Sequence, residues 1–133
     1  MAADRALRIL LVDDEPSVRG VLARALREAG YDVVAVTDGQ AGLDAARIAA
    51  EPYALVITNS YMPHLTGEQL ITQLRQLFPT LPILHLDDLS REQNPQALPV
   101  PTLYKPFSIE SLLSEVRRLL GGRVAGQNLQ ASR

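Results

Sequence analysis

The chain has 133 residues, with 13 Lys and Arg against 15 Asp and Glu, which gives a formal net charge of −2 at pH 7. Hydrophobic residues make up 47% of it, a composition typical of one soluble globular domain. The near-neutral balance argues against direct nucleic-acid binding, which depends on neutralising phosphates with Lys and Arg. Cysteine is absent, so disulfides and thiolate metal sites are excluded.

No apolar run approaches the roughly 20 residues that a membrane-spanning helix needs. The first five residues, Met-Ala-Ala-Asp-Arg, lead into a strand-like run without the pattern of a signal peptide. We therefore expect a cytoplasmic protein that does not enter a membrane.

Short runs rich in Val, Ile and Leu alternate with segments of helical period, which predicts parallel strands buried between crossover helices. The strands are expected at residues 8–12, 32–36, 54–58, 82–86 and 102–104. A first helix is expected over 17–29, where apolar residues form one stripe made of Val18, Val21, Leu22, Ala25, Leu26 and Ala29. Gly30 supplies its left-handed stop.

The remaining helices are predicted from their start and stop signals. Asp38-Gly39 begins a second helix that ends near Ala50, residues 66–69 have the sequence of a capping box for a third, and Ser108 caps a last one. Three prolines between residues 87 and 101 predict that the helix expected there, the fourth in chain order, is short, distorted or missing. Residues 1–122 are expected to form the domain and 123–133 a disordered tail.

Polar residues follow four of the predicted strands, each at the same end. Asp13 and Asp14 follow the first strand, Asn59 the third, Asp87 the fourth and Lys105 the fifth. Ligands of open parallel sheets bind outside the carboxyl ends of the strands, so these side chains are expected to converge.

Three motifs make the chain resemble the receiver domain of response regulators over about residues 7–120. They are Leu-Val-Asp-Asp-Glu-Pro at 11–16, Met62-Pro63 followed by Gly67, and Lys105-Pro106-Phe107. The resemblance implies an α/β, flavodoxin-like (CheY-like) fold, a doubly wound five-stranded parallel sheet of order 2-1-3-4-5. It also implies two-component phosphorelay signalling, in which a histidine kinase phosphorylates an aspartate.

The resemblance further implies a magnesium site. In receivers the acidic pair holds Mg²⁺, so Asp14 would bind the ion directly, Asp13 through water, and Tyr61 through its backbone carbonyl. Lys105 would contact the phosphoryl oxygens, and the Lys105-Pro106 bond resembles the family's cis peptide.

Three positions depart from the family pattern. Asn59 occupies the phosphoacceptor position, and an amide is not a usable nucleophile at neutral pH. Asp87 occupies a switch position where receivers have Ser or Thr, and in this phospho-pocket it is expected to form a salt bridge with Lys105. Thr102 occupies the second switch position, where receivers keep an aromatic residue.

The leading hypothesis is an atypical receiver, or pseudo-receiver, that is not an enzyme and acts by protein contacts. Its expected partners are a histidine kinase, a histidine phosphotransfer protein or another signalling protein, reached through the first helix and the loop after the fifth strand. Mg²⁺ binding is expected to be weak or absent, and the oligomeric state stays open. His64 and His85 are read as a loop residue and a strand residue rather than metal ligands.

The alternative is a working phospho-receiver with Mg²⁺-dependent acylphosphate chemistry. It requires Asp87 to be the acceptor, or Asn59 to be a changed or deamidated aspartate. A small-ligand binder of the flavodoxin type is disfavoured, because the acidic loop at 13–15 repels phosphate where such proteins present backbone N–H groups.

Overall fold

The computed structural model describes residues 6–88 and 100–121, which form five strands and four helices. In chain order they are β1 (Arg8–Val12), α1 (Pro16–Glu28), β2 (Asp32–Val36), α2 (Gly39–Ile48), β3 (Leu55–Asn59), α3 (Gly67–Leu77), β4 (Ile83–Asp88), β5 (Thr102–Lys105) and α4 (Ile109–Leu119). Every strand pair is parallel and the order is β2-β1-β3-β4-β5. The predicted fold class and strand order are confirmed.

The sheet separates two apolar cores, as expected when both faces of parallel strands are covered by helices. α1 and α4 pack on one face, over a core that includes Ile9, Leu11, Leu55, Ile57, Leu84 and Leu86. α2 and α3 pack on the other, over a core that includes Leu10, Val12, Val56 and Ile83. The apolar residues of β1 and β3 are buried on both sides, which explains their unbroken runs of Val, Leu and Ile.

Local signals in the sequence fix where the helices begin. Glu15 caps α1 and accepts from the Ser17 N–H at 2.8 Å, so α1 begins at Pro16, one residue before the prediction. The capping box of Thr66 and Gln69 is formed at α3, as predicted. Ser108 caps α4, as predicted, and Gly30 has a φ of 102° after α1.

Several predicted bounds need correction. β3 ends at Asn59, β4 at Asp88 and β5 at Lys105, so Asn59, Asp87 and Lys105 lie within the ends of their strands instead of following them. α2 ends at Ile48 rather than near Ala50. Val21, predicted on the apolar stripe of α1, is 56% exposed.

Two predictions fall outside the described residues. The short or missing helix between β4 and β5 lies on residues 89–99, and the predicted tail lies within 122–133. Among the described helices, none has the length and hydropathy needed to cross a bilayer.

Candidate functional site

Strand geometry brings four polar side chains to one edge of the sheet. Side chains alternate between faces along a strand, so residues two apart share a face. The core beneath α1 and α4 includes one residue near the C-terminal end of each of four strands, namely Leu11, Ile57, Leu86 and Leu103. The residues two further along therefore lie on that same face at its C-terminal edge: Asp13, Asn59, Asp88 and Lys105.

These side chains line a cleft of 370 Å³ at the carboxyl ends of β1, β3 and β5. Its lining consists of Asp13, Asp14, Glu15, Pro16, Val18, Asn59, Ser60, Tyr61, Asp88 and Lys105. The structure thus brings together the acidic pair, the acceptor position, the predicted carbonyl ligand and the lysine. The Lys105-Pro106 peptide is cis, as the resemblance implied.

Asn59 is the centre of the contacts in this cleft. Lys105 Nζ donates to Asn59 Oδ1 at 2.5 Å. Asn59 Nδ2 donates to Asp14 Oδ1 at 3.3 Å and to the Tyr61 carbonyl at 3.1 Å. These hydrogen bonds join the ends of β1, β3 and β5. Because the side chain of Asn59 is only 7% exposed, they are stronger than they would be in water.

Asp13 is fully buried behind the cleft. Its Oδ1 accepts from the Glu15 N–H at 3.0 Å, and its carbonyl accepts from Arg19 Nη1 at 2.8 Å. Its Oδ2 has no hydrogen-bond partner among the described residues. Burial raises the pKa of Asp13 above its ordinary value, although the Glu15 N–H and the charge of Lys105 act in the opposite direction.

The residues of the cleft do not fit the magnesium ion that the resemblance implies. Two of its three implied ligands, the Asp14 carboxylate and the Tyr61 carbonyl, accept hydrogen bonds from the Asn59 amide. A cation held by those oxygens would meet the amide N–H groups instead of a third oxygen. Asp13 Oδ2 is an acceptor without a partner in the described structure, but an ion that takes about six oxygens would also have to displace the Asn59 amide from Asp14 Oδ1 and the Tyr61 carbonyl.

Asp87 does not lie where the sequence analysis placed it. It shares the opposite face of β4 with Ile83 and His85, on the side of α2 and α3, and it does not line the cleft. Asp88 stands opposite Lys105 in the strand register. The described structure does not support the predicted Asp87–Lys105 salt bridge, because Asp87 lies outside the cleft that Lys105 lines, and Lys105 Nζ donates to Asn59 Oδ1.

On that opposite side Asp87 belongs to a group that sequence spacing did not reveal. Possible ligand atoms of Glu68, His85 and Asp87 lie within 4.8 Å of one another. Glu68 enters this group from the first turn of α3 and also accepts from Ser60 Oγ at 2.9 Å. Since Glu68 is 17 positions before His85 in the chain, only the packing of α3 on β4 brings them together.

Thr102, the second substituted switch position, begins β5 and lies opposite His85 in the register. Its Oγ1 donates to the Val100 carbonyl at 3.2 Å. Since Leu103 belongs to the core beneath α1 and α4, alternation places Thr102 on the other face, the same side as Asp87. Both switch positions are thus separated from the cleft by the sheet.

A second cleft, of 460 Å³, lies beside the first one, between α1 and the loop that joins β5 to α4. Its lining is mostly apolar and consists of Ser17, Val18, Val21, Leu22, Lys105, Pro106, Phe107 and Ile109. Val18 and Lys105 line both clefts, so the two are adjacent. The exposed side chain of Val21 is therefore part of an open apolar surface next to the polar site.

An acidic pair, a polar acceptor position and a lysine at the ends of β1, β3 and β5 of such a sheet define a receiver domain. Residues 9–117 match the family described as the response regulator receiver domain, and the chain belongs to this family. It is a receiver domain of two-component signalling.

Individual relatives agree. The chain is 40% identical over 118 residues to the response regulator MprA of Mycolicibacterium vanbaalenii, a match that covers 86% of the chain and 50% of MprA. It is 30% identical over 117 residues to the receiver protein CpdR of Brucella abortus, covering 85% of the chain and 96% of CpdR. The chain therefore spans half of the first relative and nearly all of the second.

Among solved structures, the chemotaxis response regulator CheY4 of Vibrio cholerae superposes with a TM-score of 0.75 at 30% identity. This match covers 86% of the chain and 98% of CheY4. The likeness therefore extends over most of the chain.

Proposed function

We propose that this receiver signals through protein contacts and is not phosphorylated at Asn59. The observation that carries the proposal is the Asn59 side chain at the acceptor position, with its oxygen bound to Lys105 at 2.5 Å. A carboxylate oxygen can attack phosphorus and form an acyl phosphate, whereas the amide oxygen is neutral and a poor nucleophile. We propose accordingly that the chain is not an enzyme.

The position of Asp87 argues against the working phospho-receiver with a displaced acceptor. Asp87 is 7% exposed and faces α2 and α3, so it does not line the cleft that holds Lys105. Phosphoryl transfer requires the acceptor and the charges that stabilise the transferred group to face one space. Asp87 does not meet that requirement.

Intact mass after treatment with acetyl phosphate and Mg²⁺ tests the proposal. The untreated mass first establishes that Asn59 has not been deamidated. We expect no phosphoryl adduct on this chain, and one adduct on the matched variant Asn59→Asp, which restores the carboxylate at the same point of the sheet. Stoichiometric phosphorylation of the unaltered chain at any residue of the cleft would contradict the proposal.

For the contact surface we propose the apolar cleft between α1 and the loop that follows β5. Val21 is 56% exposed and lines this cleft together with Phe107, and Lys105 lines both this cleft and the polar one. An exposed apolar cleft of this kind suits the apolar stripe of a helix. The proposed partner is therefore a cytoplasmic histidine kinase or histidine phosphotransfer protein that presents its histidine on such a helix.

Val21→Glu tests this surface against a matched control, Ile48→Glu. Ile48 is 82% exposed on α2 and lies outside both clefts. Binding is measured by calorimetry against purified histidine kinases and phosphotransfer proteins of the organism that makes the chain. We expect Val21→Glu to weaken binding by about tenfold or more, as burial of a charge in an apolar contact does, while Ile48→Glu leaves it unchanged. Equal effects of the two variants would place the contact elsewhere.

A further inference from the structure

We infer that the side-chain NH2 group of Asn59 serves as an internal substitute for the divalent cation of this site. It donates to two groups that the family resemblance assigns to the ion, the Asp14 carboxylate, through Oδ1 at 3.3 Å, and the Tyr61 carbonyl at 3.1 Å. A primary amide carries two N–H donors, one for each of these acceptors. The inference rests on the proposed function, because it concerns the regulation of the same cleft.

Lys105 fixes which way the amide points. Its ammonium has three donors and no acceptor, so it has to face Asn59 Oδ1, and it does so at 2.5 Å. Rotating the amide by half a turn would put its NH2 against the ammonium and its oxygen against Asp14 and the Tyr61 carbonyl. All of these contacts would then be donor with donor or acceptor with acceptor, so the observed orientation is the stable one.

This orientation lowers the affinity of the cleft for Mg²⁺. The ion needs oxygens that face it, and here it must either displace the amide from two acceptors or rotate its oxygen away from Lys105. The acidic loop is consequently held to β3 without a bound ion. The contact surface beside it therefore keeps one arrangement whatever the cellular Mg²⁺ concentration.

A double-mutant cycle on Mg²⁺ affinity separates the orientation of the amide from the charge of the lysine. Mg²⁺ is titrated into the unaltered chain, Lys105→Met, Asn59→Ala and the double variant, and the backbone amide shifts of Asp14 and Tyr61 are followed. Lys105→Met removes both a repelling charge and the constraint on the amide. In the Asn59→Ala background it removes only the charge.

We expect Lys105→Met to strengthen Mg²⁺ binding in both backgrounds. The gain in affinity should be about five times larger when Asn59 is present than in the Asn59→Ala background. Lys105→Arg, which keeps the charge and can still donate to Asn59 Oδ1, should bind Mg²⁺ as weakly as the unaltered chain. Equal gains from Lys105→Met in both backgrounds would show that only charge matters and would overturn the inference.

A measurement on the unaltered chain covers the case in which a variant does not fold. The side-chain NH2 signals of Asn59 should be protected from exchange with solvent when Mg²⁺ is absent, because both N–H groups are bonded. Rapid exchange of these protons would overturn the inference.

Failure of the inference and failure of the proposed function give different results. Mg²⁺ binding as tight as that of Asn59→Asp, with no phosphoryl adduct, would defeat the inference and leave the proposed function in place. A phosphoryl adduct on the unaltered chain would defeat the proposed function whatever the affinity for Mg²⁺.

Discussion

The two sides of the sheet's C-terminal edge are built from neighbouring residues and have different chemistry. On the side of α1 and α4, Asn59 links Lys105 to Asp14 in a continuous chain of hydrogen bonds. On the side of α2 and α3, two carboxylates and an imidazole, from Glu68, His85 and Asp87, lie within 4.8 Å of one another. A single step along a strand carries a side chain from one side to the other.

This difference assigns distinct roles to residues that are adjacent in the sequence. Asp88 faces the cleft and stands opposite Lys105, whereas Asp87 faces away from it. In this chain the acceptor position therefore contacts the lysine directly, while the substituted switch position belongs to a separate polar group behind the sheet. The following predictions test how independent the two sides are.

The largest effect on stability is expected at Gly67. This residue is the first of α3 and contacts the C-terminal end of β3. A Cβ at this position would lie 2.1 Å from the Asn59 carbonyl oxygen and 3.0 Å from Ser60 Cα. Both are backbone atoms that cannot move aside, so Gly67→Ala should lower the free energy of unfolding by about 3 kcal/mol. Chemical denaturation measures this loss.

Gly20→Ala is the matched control for that variant. Gly20 lies within α1, and a Cβ there meets no atom of the described residues within 4 Å. Alanine should raise the free energy of unfolding by about 0.5–1 kcal/mol through helix propensity alone. A loss below about 1 kcal/mol for Gly67→Ala would show that α3 is not seated on Asn59 as described.

A smaller effect of opposite sign is expected at Asp13. Its carboxylate is fully buried, and its Oδ2 has no hydrogen-bond partner in the described residues. Asp13→Asn keeps an acceptor for the Glu15 N–H and removes the buried charge, so it should raise the free energy of unfolding at pH 7 by about 1 kcal/mol. Asp44→Asn, at an exposed position of α2, should change it by less than about 0.5 kcal/mol.

The gain from Asp13→Asn should depend on pH. Because burial raises the pKa of Asp13 in the folded state, the folded chain binds more protons than the unfolded chain between the ordinary and the raised pKa. Unfolding free energy therefore falls as pH rises through that window. The groups that act on Asp13 there are Asp14, Arg19 and Lys105, together with the Glu15 N–H. The advantage of Asp13→Asn should shrink as pH falls below the raised pKa, and an advantage independent of pH would contradict this account.

The smallest effect is expected on the Mg²⁺ affinity of variants at Asp87 and Asp88. These variants are compared in the Asn59→Asp background, where Mg²⁺ binding can be measured. Asp88 lines the cleft and Asp87 does not. Asp88→Asn should weaken Mg²⁺ binding about twofold, as the loss of one partly exposed charge does, and Asp87→Asn should weaken it less. The reverse order would mean that Asp87 turns toward the cleft.

Much of this arrangement could be predicted from the sequence. The runs of Val, Ile and Leu predicted the strands, and the resemblance to receiver domains implied their order. The motifs around Asp13, Asn59 and Lys105 predicted the strand ends that meet at the cleft. The face of Asp87 could not be predicted from the expected end of β4, because β4 runs two residues further, to Asp88. Alternation from Leu84 and Leu86 was the signal that would have placed Asp88 in the cleft.

The contacts made by Asn59 could not be predicted from the sequence, for a different reason. The sequence pattern predicted that Lys105 pairs with Asp87. The contact of Asn59 with the Tyr61 carbonyl depends on how the loop after β3 turns back. Glu68 likewise joins His85 and Asp87 only because α3 packs on β4. The first contact depends on local loop geometry and the second on packing between elements, and neither leaves a periodic pattern in the sequence.

The most direct test of the central claim mixes the chain with a partner histidine kinase that already carries a radiolabelled phosphoryl group on its histidine. The mixture is separated by size, and the label on each protein is counted. We expect the chain to co-elute with the kinase while the label stays on the kinase, and Asn59→Asp to take the label. Transfer of the label to the unaltered chain would contradict the claim that this receiver is not phosphorylated and signals through protein contacts.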